Sequence, residues 1–375
     1  MRRYTNTHSR QARIGVIGAG NSGRISIHRL LQKNYYHADF ILVDTDQESL
    51  NKSQRENGQL FDHILLADQK SPFPNDFTGT DGNINLGEKA TRGTYNRIKA
   101  VIQHFDLIFL VGGLGGGTAS AALPIIAQAA GELNIMTVAI VTSPFGFEGL
   151  DRHRIAYQSI TALNSLADTL IVIHGDELLQ LVNDRTNLDG AWAEADTLRH
   201  KCIHIIEQLT QYPGIINIDF ADVKTVMEGN GTALMTMGTG SGENKVADAV
   251  EEALTCSLLN RSIIGAGNVL MHIVTPPDHD FFEVANIAES VTNAIGKQAD
   301  IIWGVSEDTC LNDEVQILML ATGFCEITQI SHSTTDTMRI AREEELVEIR
   351  EKSSLADHFW SLAKGHLSNY ARRRA

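Results

Sequence analysis

The sequence predicts an α/β fold: a parallel sheet with helices on both faces, a long connecting helix, and a second α/β unit with a mixed sheet. Three observations lead there. Short apolar runs of strand length recur at 13–17, 40–43, 107–111, 136–141 and 169–173, and near-continuous Val/Ile/Leu runs suit strands buried on both faces. Helical segments alternate with them, as connections between parallel strands require. The 375 residues exceed one ordinary hydrophobic core, so two domains are expected.

Residues 1–12 are polar and basic with no apolar stretch behind them, which reads as a flexible arm rather than a signal peptide. Residues 13–17 (RIGVI) form a strand, Gly18-Ala19-Gly20-Asn21-Ser22-Gly23 a glycine turn, and 24–31 a helix. Residues 40–43 form the next strand, ending in Asp44-Thr45-Asp46, with Asp44 placed 21 residues after Gly23. Strand, GxGxxG, helix, strand and acid make a Rossmann-like nucleotide fingerprint, although GxGxxG does not decide which nucleotide. Residues 60–87 read as loop and 89–103 as one helix.

The strand at 107–111 runs into Gly112-Gly113-Leu114-Gly115-Gly116-Gly117-Thr118, five glycines in six positions, and then an alanine-rich helix at 121–133. Missing Cβ atoms let N–H groups converge on an anion, and the helix adds its free N–H groups and positive dipole end. Thr118 is expected at or near the N-cap. This reads as a phosphate cradle, a glycine-rich turn with no ligand being the alternative, and not as a Walker A loop, because no Lys-Ser or Lys-Thr follows the last glycine. A strand at 136–141, the loop to Gly149, a helix at 150–166 and a strand at 169–173 follow. Both glycine turns, Asp44 to Asp46 and Glu148 all follow strands, so they share the edge where open parallel sheets bind ligands.

A long helix at 191–212 carries Trp192, Ala195, Leu198, Cys202, Ile205, Ile206 and Leu209 at helical spacing and stops at Pro213-Gly214. Its His200 and His204 have no third ligand nearby and read as solvated. Asp219 and Asp222 lie three apart. Simple capping explains them if Asp222 opens a helix, and spacing alone does not bring them to a phosphate. Elements at 232–242, 246–254, 269–274, 283–297, 301–305 and 316–322 build the second unit. Beyond 330 the chain is charge-rich, with an amphipathic stretch at 355–370 and a terminal Arg372-Arg373-Arg374. A tail contacting a partner or membrane and a helix packed on its own domain both remain open.

The net charge of −15 excludes a general nucleic-acid binder and suits a cytoplasmic protein. Four scattered cysteines without a CxxC pair indicate neither a disulfide framework nor a zinc ribbon. No apolar run reaches the ~20 residues of a membrane helix.

Taken together, these motifs resemble the FtsZ/tubulin superfamily. The carriers are 113–118 (GLGGGT), 137–149 (TVAIVTSPFGFEG), 169–179 (TLIVIHGDELL), 220–227 (FADVKTVM), Gly242-Glu243-Asn244 and Ser257-Leu258-Leu259, and the likeness spans about 13–323. The resemblance implies the tubulin/FtsZ fold: a GTP-binding domain at 13–190, a central helix at 191–214, a GTPase-activating domain at 215–330 and a tail at 331–375. It implies that Gly20, Asn21, Ser22, Gly23, Gly115, Gly116, Gly117, Thr118 and Ala119 hold the phosphates of GTP or GDP. Asp46 would lie by Mg²⁺ and the water near the γ-phosphate, with Glu148 and Arg152 at the ribose and phosphate side. Trp192 stands where the family stacks a Phe on guanine, and Asp196 in the neighbourhood where an acid takes the guanine N1 and N2 protons. Asp219 and Asp222 would act as catalytic residues on the next subunit's nucleotide, in a head-to-tail homopolymer serving cell division. Partners through the tail, at the membrane or division site, are implied; nucleic acid is not.

Three departures stand out. Ala119 and Ala121 replace signature glycines and are expected to crowd the phosphate loop. Ile25 stands where the family has an asparagine, and the C-terminus lacks the family's short apolar-basic peptide. They keep a slow or non-hydrolysing regulatory paralogue open. A nicotinamide-dependent oxidoreductase built on Gly18 to Gly23 and Asp44 would leave the second glycine loop and the acidic pair unexplained.

Overall fold

The computed structural model describes residues 12–32, 38–57, 62–67, 79–176, 178, 188–211, 215–216, 218–228, 231–255, 263–277, 279–296, 299–309, 311 and 313–324. The expected arm, except Ala12, and the expected tail at 331–375 lie outside them.

The chain begins with β1 (Ile14–Ala19), α1 (Gly20–Gln32), β2 (Ala38–Asp44), α2 (Gln47–Asn57) and β3 (Asp62–Leu65). Then come α3 (Ile84–Gly93), α4 (Tyr95–Ile102), β4 (Leu107–Gly113), α5 (Gly117–Glu132), β5 (Met136–Thr142), α6 (Leu150–Leu166) and β6 (Thr169–Ile173). The long helix α7 (Leu188–Gln211) and the short α8 (Phe220–Met227) lead to β7 (Gly231–Thr232). Among the described residues, seven strands form one sheet in the order β3-β2-β1-β4-β5-β6-β7, every pair parallel. Strands β1, β4 and β5 are buried almost throughout, as helices on both faces of a parallel sheet demand.

The second sheet is built from β8 (Leu234–Ser241), α9 (Lys245–Thr255), β9 (Asn268–Thr275), α10 (Phe281–Ile295), β10 (Asp300–Glu307) and β11 (Glu314–Thr322). Its order is β10-β9-β11-β8. The β9–β10 pair is parallel and the other two are antiparallel, giving the expected mixed sheet. Helix α8 is tied to both sheets: the Thr169 hydroxyl at the start of β6 donates to Met227 O at 2.9 Å, and the Thr322 hydroxyl at the end of β11 donates to Val226 O at 2.7 Å.

Several local expectations are corrected. The helix read at 89–103 is two, broken at Thr94, whose hydroxyl donates to Ala90 O at 2.9 Å and accepts from Ala67 N at 3.0 Å. A threonine bonding across to another segment competes with the helix ladder. The region read as loop at 60–87 contains β3 and the start of α3. The sequence of β3 is only four residues, Asp62–Leu65, too short for a periodic signal. The single strand read at 232–242 serves two sheets. Gly231–Thr232 pairs with β6, the Ala233 N–H donates to Leu170 O at 3.0 Å, and from Leu234 on the chain pairs with β11. Cys202 is buried on α7, and its neighbour His204 is partly buried, its pKa lowered by desolvation rather than solvated as expected.

One buried group sets a pH dependence. His272 on β9 is buried, its Nε2 lies 2.9 Å from Ser306 Oγ, and its Nδ1 has no hydrogen-bond partner. Burial lowers its pKa from 6.5 to about 4. The neutral ring is tolerated while the charged one is not, so this contribution to stability is complete above pH 6.5 and is lost as the pH falls towards 4. Urea unfolding of His272→Leu at pH 7.5 and pH 4.5 is expected to show a shallower acid loss than the parent, by about 3 kcal/mol at most. Equal slopes in the two proteins would count against it.

Candidate functional site

The first sheet has a topological switch point between β1 and β4, where the chain's outward progression reverses. Open α/β sheets bind ligands there, beyond the carboxyl ends of the strands. Ala19 and Gly112 are register partners, so the two following turns emerge side by side and start α1 and α5. A Cβ on Gly20 would lie 3.5 Å from Thr118 Cβ and 3.6 Å from Ala119 N. Two helix N-termini therefore meet, each with free N–H groups and a positive dipole end.

The glycines have different physical reasons. Gly23 permits close helix–strand packing, since a Cβ there would sit 2.6 Å from Gly18 C and 2.7 Å from Val111 O. Gly115 has φ +97°, and its Cβ would meet Pro144 and Arg152. A Cβ on Gly117 would collide with Thr80 Oγ1 at 2.5 Å. Gly116 differs: it has extended backbone at φ −96° and ψ 173°, and none of the described residues lies within 4 Å of its would-be Cβ. No packing among the described residues demands glycine there, and the absent side chain leaves space at the N-cap of α5.

Helix α5 starts at Gly117, four residues before the expected 121, and Gly116 is its N-cap. Thr118 is thus the second residue of the helix, near the N-cap as expected and inside the first turn. Its hydroxyl lies 2.8 Å from Thr45 Oγ1 and 3.4 Å from Thr80 Oγ1. Thr45 and Thr80 were not singled out from the sequence. Thr45 sits visibly between two acids, but Thr80 lies in a loop where no periodicity marks it. Ala119 and Ala121 do not crowd the loop as expected: both side chains are buried, Ala119 beside Gly112 and Ala121 beside Gly87. The backbone nitrogen of Ala119 lies 3.6 Å from the would-be Cβ of Gly20. Asn21 Oδ1 accepts from Arg24 Nη2 at 2.8 Å, and a Cβ on Gly113 would lie 3.0 Å from Ser22 Cβ, placing Ser22 against the glycine loop.

The acids beyond β2 are held by the backbone. Asp44 Oδ1 accepts from Thr45 N at 2.7 Å, and burial raises its pKa to about 6. Asp46 accepts from Glu48 N at 2.9 Å and Ser49 Oγ at 2.6 Å, holding the first turn of α2. Beyond β5, Glu148 Oε1 accepts from Phe145 N at 3.0 Å and its Oε2 from Arg152 Nη1 at 2.8 Å. The packing of Arg152 on Gly115 brings this pair beside the glycine loop. Trp192 lies on α7 with its side chain outside the described residues. Asp196, on the same helix, is buried and bonded to Ser26, Arg29 and Arg199. Arg199 was hidden from sequence reasoning by the apolar stripe around it. The signal was an acid and a base three apart on that same buried face.

Asp219 and Asp222 lie elsewhere. They form a capping box on α8: Asp219 Oδ1 accepts from Asp222 N and Asp222 Oδ2 from Asp219 N, each at 2.9 Å. The other end of α8 is bonded to Thr169, the first residue of β6. That is the amino-terminal edge of the parallel sheet, whereas the glycine turns leave its carboxyl edge. Helix α7, 24 residues or about 36 Å long, runs between Asp196 at the turn-bearing edge and the segment that leads to α8.

Two family models match the chain. Residues 13–183 match the GTPase domain of the Tubulin/FtsZ family, and residues 231–325 match the C-terminal domain of the FtsZ family. Among solved structures, an empty FtsZ dimer from M. jannaschii is 30% identical with a TM-score of 0.74, covering 88% of this chain and 96% of that one. A GTPγS-bound CetZ2 protofilament from Haloferax volcanii has a TM-score of 0.69 at 17% identity, covering 91% of this chain and 100% of that one. The GDP-bound CetZ1 monomer from the same organism has a TM-score of 0.71 at 17% identity, over 89% and 99%; at such identity both CetZ likenesses speak for the fold. With the parallel sheet, its paired glycine turns and the mixed second sheet, these matches make the chain a member of the FtsZ/tubulin superfamily.

Proposed function

We propose that this protein binds GTP at the β1/β4 switch point, assembles head to tail into filaments, and hydrolyses GTP where one subunit meets the next. Open space at Gly116, at the mouth of two converging helix N-termini, is the observation that carries the reading. It is room for a ligand next to donors that favour an anion. A polyphosphate matches both features. Gly20 to Gly23 and Gly115 to Ala119 would supply backbone donors, and the hydroxyls of Thr45, Thr80 and Thr118 would face the same anion.

The carboxylates of Asp44 and Asp46 and the threonine hydroxyls are hard oxygen donors of the kind Mg²⁺ takes, and this ion commonly needs only one or two carboxylates plus phosphate. No cluster of three or more potential metal-binding His, Cys, Asp or Glu residues occurs among the described residues, which agrees with a shared rather than an all-protein site. Bound there, the ion would neutralise phosphate charge. Glu148 and Arg152, held beside the loop, would meet the ribose side, and Trp192 the base.

Asp219 and Asp222 reach no phosphate of their own subunit from the opposite sheet edge. Stacking a second copy on the turn-bearing edge would bring its acidic pair to the first copy's nucleotide. There the two carboxylates would orient and deprotonate the attacking water, while backbone donors stabilise charge on the phosphoryl group. The dimer and protofilament among the solved relatives support such self-association. A role in cell division rests on the same family likeness. With the site completed between subunits, GTP turnover per molecule is expected to rise with protein concentration and to plateau as filaments form. A rate per molecule that stays flat from dilute to concentrated protein would reject hydrolysis between subunits. The slow, regulatory reading loses its main support, because Ala119 and Ala121 point into the core.

A further inference from the structure

Far from the glycine turns, α9 and α10 leave an apolar groove on the second sheet. Strands β8 and β9 both run antiparallel to β11, so the helices that follow them start at one end of the sheet and run back side by side. Gly238 and Gly240 let α9 lie directly on β8, since a Cβ on either would collide with Ala249 O or Lys245 O. That contact buries Ala249 and Ala253. A neighbouring stripe of Val246, Val250 and Leu254 repeats at about one turn and, with Ser290 of α10, lines a groove of about 600 Å³. Lys245 pairs with Glu283 at 3.1 Å and with Asp313 at 3.0 Å, which ties the two helix starts together.

The charge around this groove has one sign. Glu243, Ala247 and Glu251 form its rim and are exposed. Asp248 on α9 and Glu289 on α10 are exposed as well. Lys245 is the one basic residue of the two helices, and two carboxylates already engage its ammonium. Neither helix has a base in its last turn, so two negative dipole ends point the same way with no base on either helix to offset them. A complementary occupant is apolar along one side and cationic along its flanks. An apolar stripe at helical period is matched by a second helix, whose side-chain ridges have the same spacing.

We propose that the α9/α10 groove docks a basic amphipathic helix of a partner protein. Its apolar residues pack on Val246, Val250 and Leu254, and its Lys or Arg heads face Glu243 and Glu251. Ala247, small and between the two acids, leaves room for their aliphatic stems. The same carboxylates repel an anionic lipid surface.

The test uses two synthetic peptides of about 14 residues with one composition of Leu and Lys. One has its Leu spaced for a helix, the other has Leu and Lys alternating as in a strand. Each is titrated by fluorescence anisotropy against the nucleotide-free full chain at about 0.15 M salt, where long-range charge attraction is screened. The helical peptide is expected to bind saturably and at least about tenfold more tightly than the alternating one. Ala247→Arg places a cation and a long side chain on the rim and is expected to weaken binding about tenfold, as is Glu243→Lys combined with Glu251→Lys. These three residues are exposed, so both variants are expected to melt within about 2 °C of the parent. Equal affinity for the two peptides, or undiminished binding of the helical peptide by either variant, would overturn the proposal. So would a sedimentation coefficient that falls in Ala247→Arg while peptide binding stays unchanged, which would give the groove to a second copy of this chain.

Discussion

Asp222→Asn is expected to bind GTP like the parent and to turn it over about a hundredfold more slowly, the usual size of a lost general base. Asparagine is the informative choice. Asp222 Oδ2 accepts from Asp219 N, and an amide oxygen keeps that bond, so α8 retains its cap. Alanine would also remove half of the capping box, at about 1 kcal/mol, and mix a folding effect with a chemical one. The capping explanation available from the sequence is correct as far as it goes, since both acids do cap. Capping uses one oxygen of each carboxylate, however, and Asp219 stays exposed, leaving oxygens free for a neighbouring subunit. Steady-state turnover and nucleotide affinity, measured on the same preparation, separate the roles. Turnover within about threefold of the parent would leave the acids with a structural role alone.

Gly116→Val is expected to fold and to lose nucleotide. The backbone at Gly116 is extended, and a Cβ there meets nothing within 4 Å among the described residues, so the cost in stability is about 1 kcal/mol for a poorer N-cap. The same side chain would fill the space beneath the two helix N-termini. A clash of about 1–3 kcal/mol lowers affinity by about fivefold to about 150-fold. Gly23→Ala makes the contrast. Its Cβ would lie 2.6 Å from Gly18 C and 2.7 Å from Val111 O, backbone that cannot move aside, so about 3 kcal/mol of stability should go. Binding titrations and nucleotide-free melting curves of both variants check the pair. If Gly116→Val binds GTP as the parent does, the space at Gly116 is not the ligand's.

Much of the first domain was legible because buried parallel strands announce themselves. The helix at Leu150–Leu166 and the strand at Thr169–Ile173 coincide with their expected spans. Helix α2 was missed because its sequence, QESLNKSQREN, carries Leu50 as its sole large apolar residue. The start of α5 was misplaced because glycine reads as turn, while here Gly117 opens a helix whose side-chain space Thr80 and Asn83 already fill. Both glycine turns and the acidic pair could be found by motif. The division of one apolar run between two sheets at Ala233 could not, because either sheet offers that run the same burial. The Asp196–Arg199 pair offered only its spacing of three, since a helical stripe shows which residues are buried but not which cation an acid will hold.

The most direct measurement mixes two defective variants, Asp222→Asn, which keeps its nucleotide site, and Gly116→Val, which keeps its acids. Each alone should be nearly inactive. In an equal mixture, the acids of one should meet the nucleotide of the other, and GTP turnover is expected to rise at least about tenfold above either variant alone. A mixture no more active than the sum of its parts would contradict a catalytic site shared between neighbouring subunits.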